Sequence, residues 1–64
     1  MTRKDYVAIA SVFNKEYKRL QSYQATPLYM ESFWKTVFDL RRLLELDNER
    51  FDSYKFMEAI RKVN

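Results

Sequence analysis

The chain has 64 residues, 12 of them basic and 9 acidic for a net charge of +3, and it contains no glycine, cysteine or histidine. That length allows one small domain, residues 1–64, which buries only about 60% of the surface its unfolded form exposes. Missing cysteine excludes disulfides and thiolate metal sites, and missing histidine removes the commonest zinc ligand and the usual general base. Missing glycine excludes phosphate-cradling loops, dinucleotide fingerprints and nucleophile elbows.

The first predicted helix spans about 3–23. Thr2-Arg3-Lys4-Asp5 has the form of a capping box, and Met1 and Tyr6 stand at the positions of a hydrophobic staple. Tyr6, Ala10, Phe13, Tyr17 and Leu20 follow at 3- and 4-residue spacing, with Ile9 and Val12 beside them. That is one face of a helix, and a strand's period of two does not fit it. Gln24-Ala25-Thr26-Pro27 ends the segment, with Thr26 suited to an N-cap and Pro27 to a first helical position.

A second helix is predicted over 27–46. Met30, Phe33, Val37, Leu40 and Leu44 form its seam, and Tyr29, Trp34, Phe38 and Leu43 widen it. The apolar arc spans about 200° at 100° per residue. An arc so wide is expected to touch two neighbours, which would make this helix the central element.

The chain turns polar at Asp47-Asn48-Glu49-Arg50. Asp52 is placed to cap a third helix over about 53–63, with Phe51 and Phe56 as its staple. Phe56, Ala59, Ile60 and Val63 give its apolar face, and Arg61 and Lys62 stand near its negative end. The expected fold is all-α, a small three-helix bundle.

Two segments resemble known sequences. The opening Met-Thr-Arg-Lys-Asp-Tyr, residues 1–6, looks like the start of many small phage proteins, marine and cyanophage types among them. Asp47-Asn48-Glu49-Arg50-Phe51-Asp52 with Lys55, Phe56 and Ala59 is similar to their D-N-x-R-F-D-x-x-[RK]-F-x-x-A ending. The two segments cover about a third of the chain. Such proteins commonly end in Cys or Gly soon after the motif, where Ile60-Arg61-Lys62-Val63 stands here. The resemblance implies a phage origin, an infected host's cytoplasm and no known activity.

Catalysis is not expected, because no base is placed to activate the serines, tyrosines or lysines. No cofactor, metal or small-molecule substrate is expected either. Asp47, Glu49 and Asp52 have the wrong spacing for a calcium loop and carry Arg50 in their midst, so they read as capping and solvation. Glu31, Lys35 and Asp39 read as ordinary pairing at i,i+4 on the outer side of the second helix. No apolar run approaches the ~20 residues of a membrane span, and no signal-peptide stretch opens the chain. A cytoplasmic location is the expectation.

Two surfaces are candidates for binding. Trp34, Phe38, Arg41 and Glu45 lie side by side on the second helix, and aromatic residues with arginine are typical of interface hot spots. Trp34, Phe38, Arg41 and Arg42, with Tyr23 and Tyr29 at the first inter-helix turn, are the expected contact to a host or phage protein, or to a second copy as a homodimer. The plainer reading packs Trp34 and Phe38 against the third helix and pairs Arg41 with Glu45. The alternative surface is nucleic-acid binding through Lys4, Lys15, Lys18 and Arg19, which fall within about 100° on the first helix with Ser11 and Ser22. A solvated helix face is the plainer reading there. No side chains cluster for base reading, so such binding would be directed at the backbone.

Overall fold

The computed structural model describes residues 1–24 and 26–62. Among these residues it has three helices: α1 over Arg3–Ser22, α2 over Pro27–Asp47 and α3 over Ser53–Arg61. No strand occurs among the described residues. Ala25 and the expected extension of α3 to Val63 lie outside them.

At the starts of α1 and α3 a nearby carboxylate takes up a free backbone N–H, whereas Thr26 at the start of α2 makes no side-chain cap bond. Thr2 is extended, its N–H donates to Asp5 Oδ2 at 2.9 Å and its hydroxyl donates to the same oxygen at 3.3 Å. The bond from the Thr2 backbone holds the Asp5 carboxyl below its ordinary range. Met1, the expected staple residue, stays exposed, and Tyr6 packs edge-on against Phe51 with ring centroids 4.7 Å apart. Pro27 opens α2 behind an extended Thr26, as expected. Asp52 Oδ1 accepts the Lys55 N–H at 3.0 Å to cap α3, and Phe51 meets Phe56 at 5.3 Å.

The turn after α1 lacks the residue it most needs. Tyr23 caps the helix, and Gln24 follows at φ 50°, in the left-handed region. For a residue with a Cβ that conformation costs roughly 1–2 kcal/mol, and glycine is the usual occupant. Gln24→Gly is therefore expected to stabilise the fold by roughly 0.5–1 kcal/mol, since part of the relief is offset by the extra freedom of glycine in the unfolded chain. Urea denaturation checks this; a lower midpoint would show that the Gln24 side chain makes a contact worth more than the strain.

The core consists of Tyr6 and Ala10 from α1, Phe33, Val37 and Leu44 from α2, and Phe56, Met57 and Ile60 from α3. Ile9, Phe13, Tyr17, Leu20, Trp34, Leu40 and Phe51 pack around it half-buried. The hub is α1 rather than α2. Its backbone comes closest to α3, where small Ala10 sits at the contact. Against α2 it is held off by rings: Phe13 and Tyr17 meet Phe33 at 6.1 and 6.0 Å, and Tyr17 meets Trp34 at 5.4 Å. The outer parts of the broad α2 arc gain no second neighbour, and Tyr29, Leu43 and Leu46 remain exposed. The wide stripe is therefore only half used.

Asn14 ties α1 to the end of α3. Its side-chain amide donates to the carbonyls of Ile60 and Lys62, both at 2.8 Å, and so satisfies groups that a helix C-terminus leaves open. The molecule measures 35 × 22 × 15 Å, so it is flattened.

Candidate functional site

A groove of about 630 Å³ runs between α2 and α3, over the edge of α1. Trp34, Phe38 and Arg41 form its α2 wall, Tyr54, Met57 and Arg61 its α3 wall, and Tyr17 contributes from α1. The α2 residues come together because 34, 38 and 41 recur at 4- and 3-residue spacing, and 54, 57 and 61 do the same on α3.

Trp34 is the hinge between core and groove. Its ring stands edge-on to Phe33 at 5.1 Å and to Tyr17 at 5.4 Å, and stacks with Phe38 at 6.1 Å. Phe38 is 46% exposed and Tyr54 71%. Two guanidinium groups lie on this aromatic surface: Arg41 over Phe38 at 5.3 Å and Arg61 over Trp34 at 5.9 Å. Arg41 Nε also lies 3.2 Å from Glu45 Oε1, an ion pair without hydrogen-bond alignment. Planar cations stacked on rings present a preformed surface to an incoming group, so less side-chain freedom is lost on binding.

Of the residues expected at a protein contact, Trp34, Phe38 and Arg41 meet in this groove. Arg42 is exposed on α2 but does not line it. Tyr23 and Tyr29 are exposed at the first turn and also lie off it. Tyr23 is covered in part by the Arg19 guanidinium at 5.7 Å. Sequence reasoning missed Tyr17, Tyr54, Met57 and Arg61. The spacing of α1 places Tyr17 wholly in the core seam, whereas the 54–57–61 spacing is legible and lies beside the Phe56–Ile60 seam of the same helix.

The basic strip of α1 is reduced by its own neighbours. Arg19 is held by Glu16 through two hydrogen bonds of 2.6 and 2.8 Å, and the Ser22 hydroxyl donates to the Arg19 carbonyl. Lys4, Lys15 and Lys18 are exposed and form no ion pair among the described residues. Lys35 likewise pairs with neither Glu31 nor Asp39 among the described residues, contrary to the expected i,i+4 pairing. An exposed lysine loses side-chain freedom to hold such a pair and gains little in water.

The Arg19 hydrogen bond holds the Glu16 carboxyl below its usual value of 4.5 and raises Arg19. A depressed folded-state value means that this contribution is present above the unfolded pKa and is lost as pH falls through the folded one. Carboxyl titration by NMR should therefore place the Glu16 midpoint below 4.5, with Arg19→Gln returning it toward that value. A midpoint that does not move in Arg19→Gln would show the pair to be absent in solution.

Asp47, Glu49 and Asp52 do not converge, because Asp47 faces the Met1 amino group at 3.8 Å and Asp52 caps α3. No group of three or more acidic side chains is placed to hold a metal among the described residues. Among the described residues, no helix is long and apolar enough to cross a membrane.

The fold places the chain among small all-α three-helix domains. In comparisons with family models, curated proteins and solved structures, no match was found.

Proposed function

We propose that the protein is a non-enzymatic, phage-type accessory protein that acts by contact, docking a host or phage protein in the α2–α3 groove. The observation that carries this reading is the groove surface of exposed Phe38 and Tyr54 with half-buried Trp34, over whose rings Arg41 and Arg61 lie. Aromatic and arginine side chains gathered at a groove are the composition of binding hot spots. The phage assignment and the cytoplasm of an infected host rest on the resemblance of residues 1–6 and 47–59.

The test is affinity capture from the native host's lysate, with wild type run beside a Phe38→Ala, Arg41→Ala variant, together with sedimentation of the isolated chain. Partners recovered by wild type and lost by the variant support the reading. A monomer whose variant recovers the same partners sinks it. Self-association lost in the variant would make a second copy the occupant of the groove.

Nucleic-acid binding through Lys4, Lys15, Lys18 and Arg19 is the second reading, and the Arg19–Glu16 pair weighs against it. Lys15 and Lys18 are neighbours at i,i+3 but Lys4 stands three turns away, so the three supply little of the cationic density that phosphate contact needs. Measurable binding of labelled DNA or RNA at about 50 mM salt, falling steeply as salt rises, would restore it.

A further inference from the structure

A second concavity of about 390 Å³ lies away from the groove, where the start of α1 meets α3 and the α2–α3 turn. Its floor is apolar, built from Tyr6, Ala10, Phe51 and Phe56 with Val7 and Ala59 at the sides. Its rim is cationic, with Arg3 from α1, Arg50 from the turn and Lys55 from α3. None of these three forms an ion pair among the described residues. The carboxylate at this rim, Asp52, already accepts the Lys55 N–H as the helix cap. The turn that carries Arg50 is fixed by its own N–H, which donates to Asn48 Oδ1 at 3.0 Å.

We infer that this pocket is a docking site for an acidic peptide segment of a partner protein, one large apolar side chain entering it while flanking carboxylates meet Arg3, Arg50 and Lys55. Charge complementarity selects the occupant. Three unpaired cations on three different elements surround an apolar floor, so an apolar anchor with anions on several sides satisfies the whole surface. The volume stands near the lower limit of roughly 300–1,000 Å³ for ligand pockets, which suits one side chain better than a cofactor. A nucleic-acid strand would need an exposed aromatic face on which to stack a base, and Tyr6 and Phe56 are buried in the floor. The site is independent of the α2–α3 groove, and neither depends on the other for its test.

The probe is the peptide acetyl-Glu-Glu-Phe-Glu-Glu-amide, titrated into the ¹⁵N-labelled full chain at low salt and followed by amide shifts. Saturable shifts are expected at Val7, Arg50 and Ala59, with those of Trp34 and Phe38 unmoved. Replacing the peptide's Phe by Ala should weaken binding at least tenfold, and so should Arg50→Glu, Lys55→Glu in the protein. Ala59→Leu, which narrows the pocket at an exposed position, should weaken it with the charges intact. Shifts centred on Trp34 and Phe38 would overturn the inference, as would affinity indifferent to the peptide's Phe. A phenylpropionate titration that matches the peptide would also overturn it, showing a small-anion pocket in place of a peptide site.

Discussion

Ile60→Ala is expected to leave the chain largely unfolded at 25 °C. Ile60 is fully buried near the end of α3, in the core shared by all three helices. Truncating a buried isoleucine costs about 2–5 kcal/mol, because the lost apolar transfer is joined by a cavity that the surroundings fill only in part. A core of this size supplies net stability of only about 3–5 kcal/mol, with no disulfide to hold the chain. The helix bearing Ile60 has nine residues, too few to persist once undocked. Loss of α3 would also withdraw the carbonyl partners of Asn14. Far-UV circular dichroism and urea denaturation give the measurement. Ile60→Val should cost only about 0.5–1.5 kcal/mol and remain folded. If Ile60→Ala melts within a few degrees of wild type, α3 is not the third side of the core.

Phe38→Ala with Arg41→Ala should have the largest effect on partner binding and a small effect on the fold. Trp34 is the poorer choice for this test, since its ring touches Tyr17, Phe33 and Phe38 and truncation would disturb the core. Phe38 is 46% exposed, and Arg41 makes its ion pair within the same helix. Hot-spot truncations cost about 2 kcal/mol or more, equivalent to roughly a 30-fold loss of affinity. The pair Leu43→Ala, Leu46→Ala removes exposed apolar area from the same helix outside the groove and should leave binding within about twofold. Affinity measured against the captured partner by titration calorimetry reads both variants. Equal losses in the two would mean that binding follows general apolar area rather than this groove.

The helices themselves were legible because local chemistry dictates them. Thr26-Pro27 and Asp52 with its Phe51–Phe56 staple mark helix starts through neighbours within a few residues, and they start helices in the structure. Helix ends were less legible. The first helix stops at Ser22 rather than 23, the second continues to Asp47 rather than 46, and α3 is helical through Arg61. Such boundaries depend on which carbonyls find partners, and for α3 part of the answer is Asn14, 46 residues away from Ile60 in sequence. No local pattern announces that bond. Met57 was likewise absent from the predicted seam, and it is buried because α3 presses that side toward α1 and α2.

Periodicity by itself determined that this chain is three amphipathic helices, because side chains at 3- and 4-residue spacing share a face whatever lies opposite. It determined Trp34, Phe38 and Arg41 as one patch for the same reason. The same spacing marked the faces that turn inward, since Tyr6 and Ala10, Phe33, Val37 and Leu44, and Phe56 and Ile60 are the buried core. Tertiary packing alone made α1 the hub, where the breadth of the α2 stripe favours α2. The small side chain of Ala10 lets α3 approach α1 closely, while the rings of Phe13, Tyr17, Phe33 and Trp34 hold α2 further off. That unequal spacing leaves part of the α2 stripe exposed and brings Tyr54, Met57 and Arg61 opposite Trp34 and Phe38. The groove exists because helix spacing follows side-chain volume at the contact, which only the assembled core sets.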